Sequence, residues 1–280
     1  MRVLGQTPPH AFAIYVPCYG ETYGDPSVLV SLAVEAEAAG WDGFFMWDHL
    51  VAEPLVAEPL VADPWVTLGA VAARTSRITL GPMITPVPRR RPWKLAVEAS
   101  TLQRLSGGRL VLGVGMGVPR DYTSFGEASD ARSRAARLTE GVELVQELLS
   151  GEPVEHRGGV FEASGVRLAP VEVPVWTSGI WPRKVPFLAA ARASGLFPII
   201  QDGSGGFAVA SAEQAASMKA EFVAAGGPVD GDLAIWGGGA RPSVAQVSEF
   251  ADAGATWLLL DGWKASLSEL RSYVSAGPPR

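Results

Sequence analysis

A short apolar strand that ends in an acid and a histidine stands at Trp41-Asp42-Gly43-Phe44-Phe45-Met46-Trp47-Asp48-His49. The C-terminal ends of buried parallel strands are where barrel enzymes carry their reacting groups. Histidine exchanges its proton most readily near neutral pH, which makes His49 a candidate acid/base. The same residues equally fit a structural role, in which Asp48 caps the next loop and His49 is solvated.

The composition narrows the class of protein. Hydrophobic residues make up 48% of the 280 residues, which is enough to fill one large core. A net charge of -6 argues against a nucleic acid or an anionic membrane as a partner. The single cysteine, Cys18, excludes an internal disulfide, and three histidines leave few ligands for a transition metal. No apolar run is long enough to span a membrane, so we expect a soluble cytoplasmic protein without a bound metal.

Short apolar runs alternate with longer segments of helical period along the chain. The predicted strands are Ala11–Val16, Gly43–Trp47, Ile78–Ile84, Arg109–Val114, Val173–Thr177, Leu196–Ile200, Leu233–Trp236 and Thr256–Leu260. The predicted helices are Ser27–Ala39, Pro64–Thr75, Pro92–Leu105, Ala131–Leu149, Pro182–Ala193, Ala212–Ala225, Ser243–Ala253 and Leu267–Val274. This alternation predicts an α/β fold, a (β/α)8 TIM barrel, in preference to an open doubly wound sheet. No linker divides the chain, so residues 1–280 are predicted to form a single domain.

Two segments depart from this rhythm. Residues 115–172 are predicted to form an insertion between the fourth and fifth strands, with one long helix and a hairpin around Arg157-Gly158-Gly159. Such insertions commonly shape a substrate entrance or an oligomer contact. Residues 51–64 repeat a proline-containing pentapeptide nearly three times, and proline excludes a regular helix there. This segment is predicted to be an enlarged loop beyond His49, either a lid or a duplication tolerated at the surface.

Three strand ends carry residues suited to a ligand. The third strand continues into the basic triplet Arg89-Arg90-Arg91, which fits either an oxyanion-binding role or a solvated turn. Glycines alternate in Leu112–Gly117, a spacing that allows close approach of a flat or phosphorylated ligand, or a tight turn. Trp176–Lys184 combines small residues and two cations at a predicted helix start, where free N–H groups favour a phosphate. An ordinary helix cap is the alternative there.

Tryptophans gather at predicted strand ends, and indole faces suit a planar aromatic cofactor while excluding water. Taken singly, each of them fits a barrel core at least as well. Trp263 belongs to the same group. The side chains predicted to line a substrate pocket are Tyr15, Cys18, Trp47, Trp176, Trp181 and Trp236.

With these motifs in this order, the chain resembles the luciferase-like monooxygenases, the flavin- or deazaflavin-dependent barrel superfamily that includes bacterial luciferase. The resemblance covers most of Ala11 to Ile200. The matching residues are Ala39–Asp42 with Asp48-His49, Asp63-Pro64, Ala72–Gly81, Arg91-Pro92, Leu105–Leu110, Leu112–Gly115 and the predicted helix start at Gly179–Arg183.

The resemblance implies a reduced flavin that lies across the C-terminal mouth of the barrel. It gives His49 the role of catalytic acid/base beside the ring, with Asp48 orienting it. It also implies a non-proline cis peptide at Met83–Ile84, beneath the ring. The residues that it assigns to cofactor binding are Met83, Ile84, Gly115, Met116, Ser178, Gly179, Ile180 and Arg183, the last four at the phosphate.

Two departures from the family pattern leave the cofactor open. Sugar-oxidising deazaflavin members place a glutamate after the fourth-strand glycines, and luciferase-type members place an arginine near there, whereas this chain has Met116-Gly117-Val118. The first expectation is a two-component monooxygenase that uses reduced FMN and oxygen on a small organic substrate. The alternatives are an F420-dependent hydride-transfer oxidoreductase and a flavin-binding protein without turnover.

The resemblance also bears on partners. No site for a nicotinamide cofactor is visible, so a separate flavin reductase or an F420-reducing dehydrogenase is expected to supply the reduced cofactor. A homodimer, which is common in the family, is compatible with the sequence. A flavin-independent barrel hydrolase is disfavoured, because the chain lacks a Gly-x-Ser-x-Gly elbow and a set of metal ligands.

Overall fold

The computed structural model describes residues 11–51, 60–203, 206–261 and 265–280. Within them, eight parallel strands form the predicted barrel. Numbered in chain order with the other strands, the barrel strands are β1 (Ala11–Val16), β2 (Gly43–Met46), β3 (Thr79–Pro82), β5 (Leu112–Gly115), β8 (Val175–Trp181), β9 (Gly195–Gln201), β11 (Asp232–Gly238) and β12 (Trp257–Leu260). The remaining strands are β4 (Thr85–Pro86), β6 (Val154–Arg157), β7 (Glu162–Val166) and β10 (Phe207–Ala208). The predicted fold class is confirmed.

Helices connect the strands, and most begin where the sequence predicts. They are α1 (Gly20–Tyr23), α2 (Pro26–Ala38), α3 (Pro64–Arg74), α4 (Pro92–Leu105), α5 (Arg120–Thr123), α6 (Ala131–Leu149), α7 (Ala212–Ala224), α8 (Val244–Asp252) and α9 (Leu267–Ser275). Asp25 and Asp63 each accept a hydrogen bond from a backbone N–H of the first turn, and a proline follows each of them. This pairing of an acidic cap with a proline satisfies or removes N–H groups that have no partner inside the helix.

The helix predicted at Pro182–Ala193 is wrong. β8 continues to Trp181, and only two short 3-10 turns follow, at Val185–Phe187 and Ala190–Arg192. Pro186 has no backbone N–H, so an α-helix that started at Pro182 would lose a hydrogen bond at that point. The peptide Trp181–Pro182 is cis.

The barrel closes between its third and fourth strands at a narrow seam. Leu80 pairs with Leu110, through hydrogen bonds from Leu80 N to Arg109 O (3.0 Å) and from Val111 N to Leu80 O (2.9 Å). Beyond a bulge at Met83–Ile84, β4 resumes the pairing with β5. A Cβ atom on Gly81 would lie 1.9 Å from the carbonyl oxygen of Val111, so only glycine lets the two chains approach this closely.

Two apolar clusters lie on the two faces of the strands. Along β1, Phe12, Ile14 and Val16 pack outward with the residues of α2, while Ala11, Ala13 and Tyr15 belong to a smaller cluster inside the barrel. Large rings fill this inner cluster, where Trp176 packs against Phe45 and Trp257 at centroid distances of 5.6 Å. Because successive strand residues face opposite sides, small residues on β1 make room for these rings.

The predicted insertion contains α5, α6 and the hairpin of β6 and β7, which pair as antiparallel strands. The long helix has the predicted bounds, and Leu138, Val142 and Val145 on it are buried in the outer cluster. α5 and the first turns of α6 lie next to the C-terminal mouth of the barrel, because Asp121 contacts His49 and Arg134 contacts Gly117. The insertion therefore supplies side chains to the mouth.

Some predictions lie outside the described residues. Most of the repeated pentapeptide segment, residues 52–59, and Trp263 fall there, so the lid hypothesis stays a prediction. None of the helices in the described ranges is both long enough and apolar enough to cross a bilayer.

We predict that Gly81→Ala lowers the free energy of unfolding by about 3 kcal/mol, since its Cβ would force the seam apart. Gly69 in α3 is the matched control, because a Cβ there meets no atom within 4 Å. Gly69→Ala should raise stability by about 0.5 kcal/mol through helix propensity. Urea unfolding of both variants measures the difference. Equal stability of the two variants would contradict the role given to the seam.

Candidate active site

A cavity of about 450 Å³ opens at the C-terminal ends of the barrel strands. This volume is in the range that holds a small molecule or a cofactor ring. Its wall includes residues from the ends of seven barrel strands: Tyr15; Trp47, Asp48 and His49; Met83 and Ile84; Gly115, Met116 and Gly117; Ser178, Gly179 and Ile180; Phe197, Ile199 and Gln201; and Trp236. The wall also contains three charged side chains from outside these groups: Asp261, which directly follows β12, Arg134 on α6, and Arg183, which lies just beyond β8.

His49 is held in this wall by a carboxylate from the insertion. Its Nδ1 lies 3.1 Å from Oδ2 of Asp121, and the rings of Tyr19 and Trp47 contact the imidazole edge to face. Within the described ranges, Nε2 has no hydrogen-bond partner. Because an ionised carboxylate only accepts hydrogen bonds, Nδ1 carries a proton and Nε2 is the atom that can exchange one with a ligand.

Asp121 is ionised in this environment. Burial by itself would raise the pKa of its carboxyl, but the hydrogen bond and charge of His49, the charge of Arg89 and the N–H of Val51 lower the pKa below its ordinary value. The backbone N–H groups of Leu50 and Val51 lie 3.2 and 3.1 Å from Oδ1. The carboxylate therefore fixes both the imidazole and the start of the loop that follows it.

Asp48 does not orient His49, which corrects the role implied by the family resemblance. Its carboxylate accepts hydrogen bonds from Thr85 Oγ1 (2.9 Å), from Arg90 (2.7 Å) and from Arg89. These three groups use its oxygen atoms, and its side chain is only 2% exposed. Asp48 lies in the cavity wall, but its contacts are to the residues that follow β3.

Arg89 connects the two carboxylates. It donates to Asp121 Oδ2 (2.8 Å), to the carbonyl oxygen of Asp48 (2.8 Å) and to the Asp48 carboxylate. A buried arginine can satisfy several acceptors at once because its N–H groups lie in one rigid plane. The segment after β3, the end of β2 and the insertion are thereby joined at one side chain.

Cys18 has a structural role instead of lining the pocket. Its sulfur accepts a hydrogen bond from His49 N (3.4 Å) and lies 3.6 Å from His49 O. Burial raises the pKa of the thiol to about 12, so it stays protonated and is a poor nucleophile. It belongs to the outer apolar cluster and holds the backbone of His49 in place.

The peptide Met83–Ile84 is cis, as the resemblance implies. The glycines of β5 make room for this bulge: a Cβ on Gly113 would lie 2.5 Å from Pro82 O, and one on Gly115 would lie 2.8 Å from Ile84 Cδ1. The alternating glycines therefore accommodate a neighbouring strand first, and only Gly115 and Gly117 reach the cavity wall.

The predicted phosphate cradle has a different geometry. Ser178, Gly179 and Ile180 line the cavity, but they are paired with β9 in an extended strand and do not start a helix. The helix dipole expected there is therefore absent. Arg183, which is exposed and also lines the cavity, is the cation that remains at this end.

The predicted pocket aromatics divide into two sets. Tyr15, Trp47 and Trp236 line the cavity, whereas Trp176 is fully buried inside the barrel. Trp181 lies outside the wall, where its indole donates to Glu221 (3.1 Å). Trp176 and Trp181 are expected at the pocket because the predicted strand ends at Thr177. β8 instead continues to Trp181, so Trp176 lies deeper in the barrel than Ser178 and Ile180, and strand alternation turns Trp181 to the outer face.

Three charged side chains of the site were missed from the sequence: Asp121, which holds His49 from behind, and Arg134 and Asp261, which lie in the cavity wall. Asp261 follows a buried strand just as Asp48 does, so its position was a usable signal. It accepts a hydrogen bond from the indole of Trp236 and is 3% exposed. Burial, followed by the charge of Asp261, raises the pKa of Tyr15 well above its ordinary value, which keeps that phenol a hydrogen-bond donor. Asp121 is 72 residues from His49, and nothing in the local sequence marks it.

Comparison with curated proteins finds relatives that are named for one cofactor. The chain is 36% identical over 167 residues to the F420-dependent glucose-6-phosphate dehydrogenase of Nakamurella multipartita, covering 57% of this chain and 48% of that protein. It is 35% identical over 174 residues to the enzyme of the same name from Mycobacterium avium, covering 59% and 51%. The chain thus spans about half the length of the curated relatives that it matches.

Solved structures share the fold at low sequence identity. An F420-dependent secondary alcohol dehydrogenase in complex with an F420-acetone adduct has a TM-score of 0.75 and 19% identity, over 93% of this chain and 96% of that one. The coenzyme F420-dependent tetrahydromethanopterin reductase of Methanopyrus kandleri has a TM-score of 0.74 and 16% identity, over 96% and 98%. The monooxygenase RslO1 of Streptomyces bottropensis has a TM-score of 0.69 and 19% identity, over 94% and 96%.

The family model described as luciferase-like monooxygenase matches residues 11–273, which is nearly all of the chain. The match includes every barrel strand and the insertion that carries Asp121. On this match, with a parallel barrel and a cis peptide at the end of its third strand, the chain belongs to the luciferase-like monooxygenase family.

Proposed function

We propose that this protein is an F420-dependent oxidoreductase that transfers a hydride between the deazaflavin and a small organic substrate. The observation that carries the proposal is the His49–Asp121 pair, which leaves Nε2 of a cavity histidine available for proton exchange. The curated relatives support F420 over the FMN that the sequence analysis put first, because those reported above are F420-dependent enzymes by name.

The cavity suits a planar ring system. Met83 and Ile84 form an apolar surface at the bulge, and Tyr15 and Trp47 add aromatic faces. Because Gly115 and Gly117 have no side chains, a flat ring can approach the backbone at the end of β5 closely. Ser178, Gly179, Ile180 and Arg183 would then hold the phosphate, with the guanidinium supplying the charge.

When bound, F420 would supply the hydride chemistry, and the chain would control the proton. An alcohol that loses a hydride must also lose its hydroxyl proton, and His49 Nε2 is the group suited to accept it. Asp121 would stabilise the imidazolium that forms, since its carboxylate is ionised and contacts Nδ1. Tyr15, whose ring contacts Trp47 on the neighbouring strand, would donate a hydrogen bond, and Trp47, Met83 and Ile84 would exclude water.

We propose that the substrate is not glucose 6-phosphate, the sugar for which the curated relatives are named. Sugar-oxidising members of the family carry a glutamate after the fourth-strand glycines, and Met116 and Gly117 stand there in this chain. An apolar side chain at this point favours a less polar alcohol or carbonyl compound. Reduced F420 would come from a separate dehydrogenase, as the sequence analysis expects.

A monooxygenase that uses reduced FMN and oxygen is the second candidate. The apolar wall of Trp47, Met83 and Ile84 supports it as well, because oxygen activation on a flavin also requires a dry cavity. The two candidates share the barrel, the cavity and His49, and they differ in the cofactor that binds. A flavin-binding protein without turnover would bind a cofactor but would show no effect of His49 on any reaction.

We predict that the purified chain binds reduced F420 at least tenfold more tightly than reduced FMN, which corresponds to about 1.4 kcal/mol. Anaerobic titration followed by absorbance and fluorescence measures both dissociation constants. Tighter binding of FMN would favour the monooxygenase, and saturable binding of neither cofactor would refute a flavin-dependent function altogether.

We predict that His49→Gln and Asp121→Asn each lower the turnover of the F420-dependent reaction about a hundredfold, the range of one acid/base group. Binding of F420 should change little, because the phenol, the bulge and Arg183 are untouched. Steady-state kinetics on an alcohol panel, with separate cofactor titrations, measures the two effects. Asp252→Asn is the control, since Asp252 is an exposed carboxylate on α8 and should leave turnover unchanged. Wild-type turnover in Asp121→Asn would refute the role given to this pair.

Asp121→Asn also tests the contribution of the Asp121 carboxylate to stability, through its dependence on pH. The pKa of Asp121 is lower in the folded chain than in the unfolded one, so its charge stabilises the fold above the unfolded value of about 3.9. That contribution is lost as the pH falls through the folded pKa. We therefore expect Asp121→Asn to be less stable than the wild type at pH 7, and the gap in thermal midpoint to shrink below about pH 4. A constant gap from pH 7 to pH 3 would contradict this.

A further inference from the structure

A second cavity, of about 280 Å³, lies beside the first turns of α6. Its wall contains five arginines, Arg89, Arg90, Arg91, Arg134 and Arg137, and one acidic residue, Glu127. The whole chain carries a net charge of -6, so this concentration of cations departs sharply from its average surface. We name it the arginine cavity.

Two of the five arginines are already neutralised by carboxylates. Arg89 contacts Asp48 and Asp121, and Arg90 contacts Asp48 and, at 3.6 Å, Glu98. These pairs account for the carboxylates around the end of β2. Arg89 and Arg90 therefore form part of the cavity wall but add little net positive charge to it.

The other three arginines have no carboxylate partner in the part of the chain that the structure describes. Each guanidinium lies instead over an aromatic ring: Arg91 over Trp93 at 5.9 Å, Arg134 over Tyr122 at 5.4 Å, and Arg137 over Phe161 at 5.7 Å. Stacking positions the guanidinium plane and leaves N–H groups at its edge for other acceptors. Glu127 is the one carboxylate in the wall that faces these three charges.

Arg134 is the most informative of the three, because it is only 7% exposed. Its Nε donates to the carbonyl oxygen of Ser129 (2.9 Å), and its Nη1 donates to that of Gly117 (3.0 Å). Neutral carbonyl groups satisfy its hydrogen bonds but do not balance its charge, and a buried cation without a counter-ion is costly. Arg134 also lines the active-site cavity, so it stands in the wall of both cavities.

We propose that the arginine cavity is an oxyanion-binding site for a phosphate or carboxylate group. Guanidinium groups bind phosphates and carboxylates through two parallel hydrogen bonds. A bound anion would also supply the negative charge that balances Arg91, Arg134 and Arg137. The helix start contributes little, because the Asp130 side chain already caps Ser133 N at 2.8 Å. Through Arg134, a ligand anchored by its anionic group would lie beside the cavity that contains His49.

The test uses pyrophosphate as the probe on the full chain without a flavin, at fixed ionic strength. Isothermal titration should show saturable binding to the wild type and at least a tenfold loss in Arg91→Ser/Arg137→Ser, since each lost contact is a charged hydrogen bond. Arg132→Ser is the matched control, because Arg132 is exposed on the same helix and lies outside the cavity wall. Arg91→Ser alone, at an exposed position, should weaken binding if the double variant does not fold.

Absence of saturable binding to the wild type, or equal binding by the wild type and both cavity variants, overturns the proposal. A second arm identifies the source of the anion. Competition between pyrophosphate and reduced F420 that is lost in Arg91→Ser/Arg137→Ser assigns the arginine cavity to an anionic group of the cofactor, and simultaneous binding assigns it to a substrate. Because the first arm needs no flavin, its failure is separate from a failure of the F420 proposal.

Discussion

The buried contact of Arg89 with Asp48 and Asp121 is the interaction on which the site depends. Its side chain is 5% exposed, and those of the two carboxylates are 2% and 1% exposed. Charges buried this deeply are tolerated only when each has partners, and here Arg90, Thr85, His49 and two backbone N–H groups complete the set. The geometry of His49 is therefore set by a network that spans the end of β2, the segment after β3 and the insertion.

This network needs the chain after β3 to follow an unusual path. The bulge at Met83–Ile84 turns the strand so that Thr85 and the arginines that follow face Asp48. β5 tolerates the bulge only because its facing residues are Gly113 and Gly115. Backbone features that carry no chemistry thus determine where the charged groups lie, and they also form the apolar floor of the cavity.

The insertion supplies two of the charged side chains at the C-terminal mouth of the barrel. It supplies Asp121, which fixes the tautomer of His49, and Arg134, which lines both the cavity that contains His49 and the arginine cavity. One cavity is mainly apolar and contains His49, and the other is cationic. A ligand with an apolar reacting end and an anionic end would match this division, which connects the proposed oxidoreductase with the proposed oxyanion site.

The sequence by itself determined the barrel, the bounds of most helices and the position of His49. Those features depend on local patterns: apolar strands, proline and acidic residues at helix starts, and a titratable residue after a buried strand. The mistaken helix after β8 was predicted because Pro182 fits an early helical position, although Pro186 was a local signal against it. The cis peptide followed from family resemblance and not from any local pattern.

Only the tertiary structure decided which carboxylate holds His49 and which tryptophans line the cavity. Asp48 is adjacent to His49 in sequence, but its oxygen atoms are occupied by Thr85, Arg89 and Arg90, and Asp121 takes its place from 72 residues away. Trp176 lies deep in the barrel because it stands at the start of β8, whereas Trp47 and Trp236 stand near the ends of their strands and lie on the wall. Periodicity fixes which elements form, but the partner of a buried charge depends on which side chains packing brings within hydrogen-bond distance.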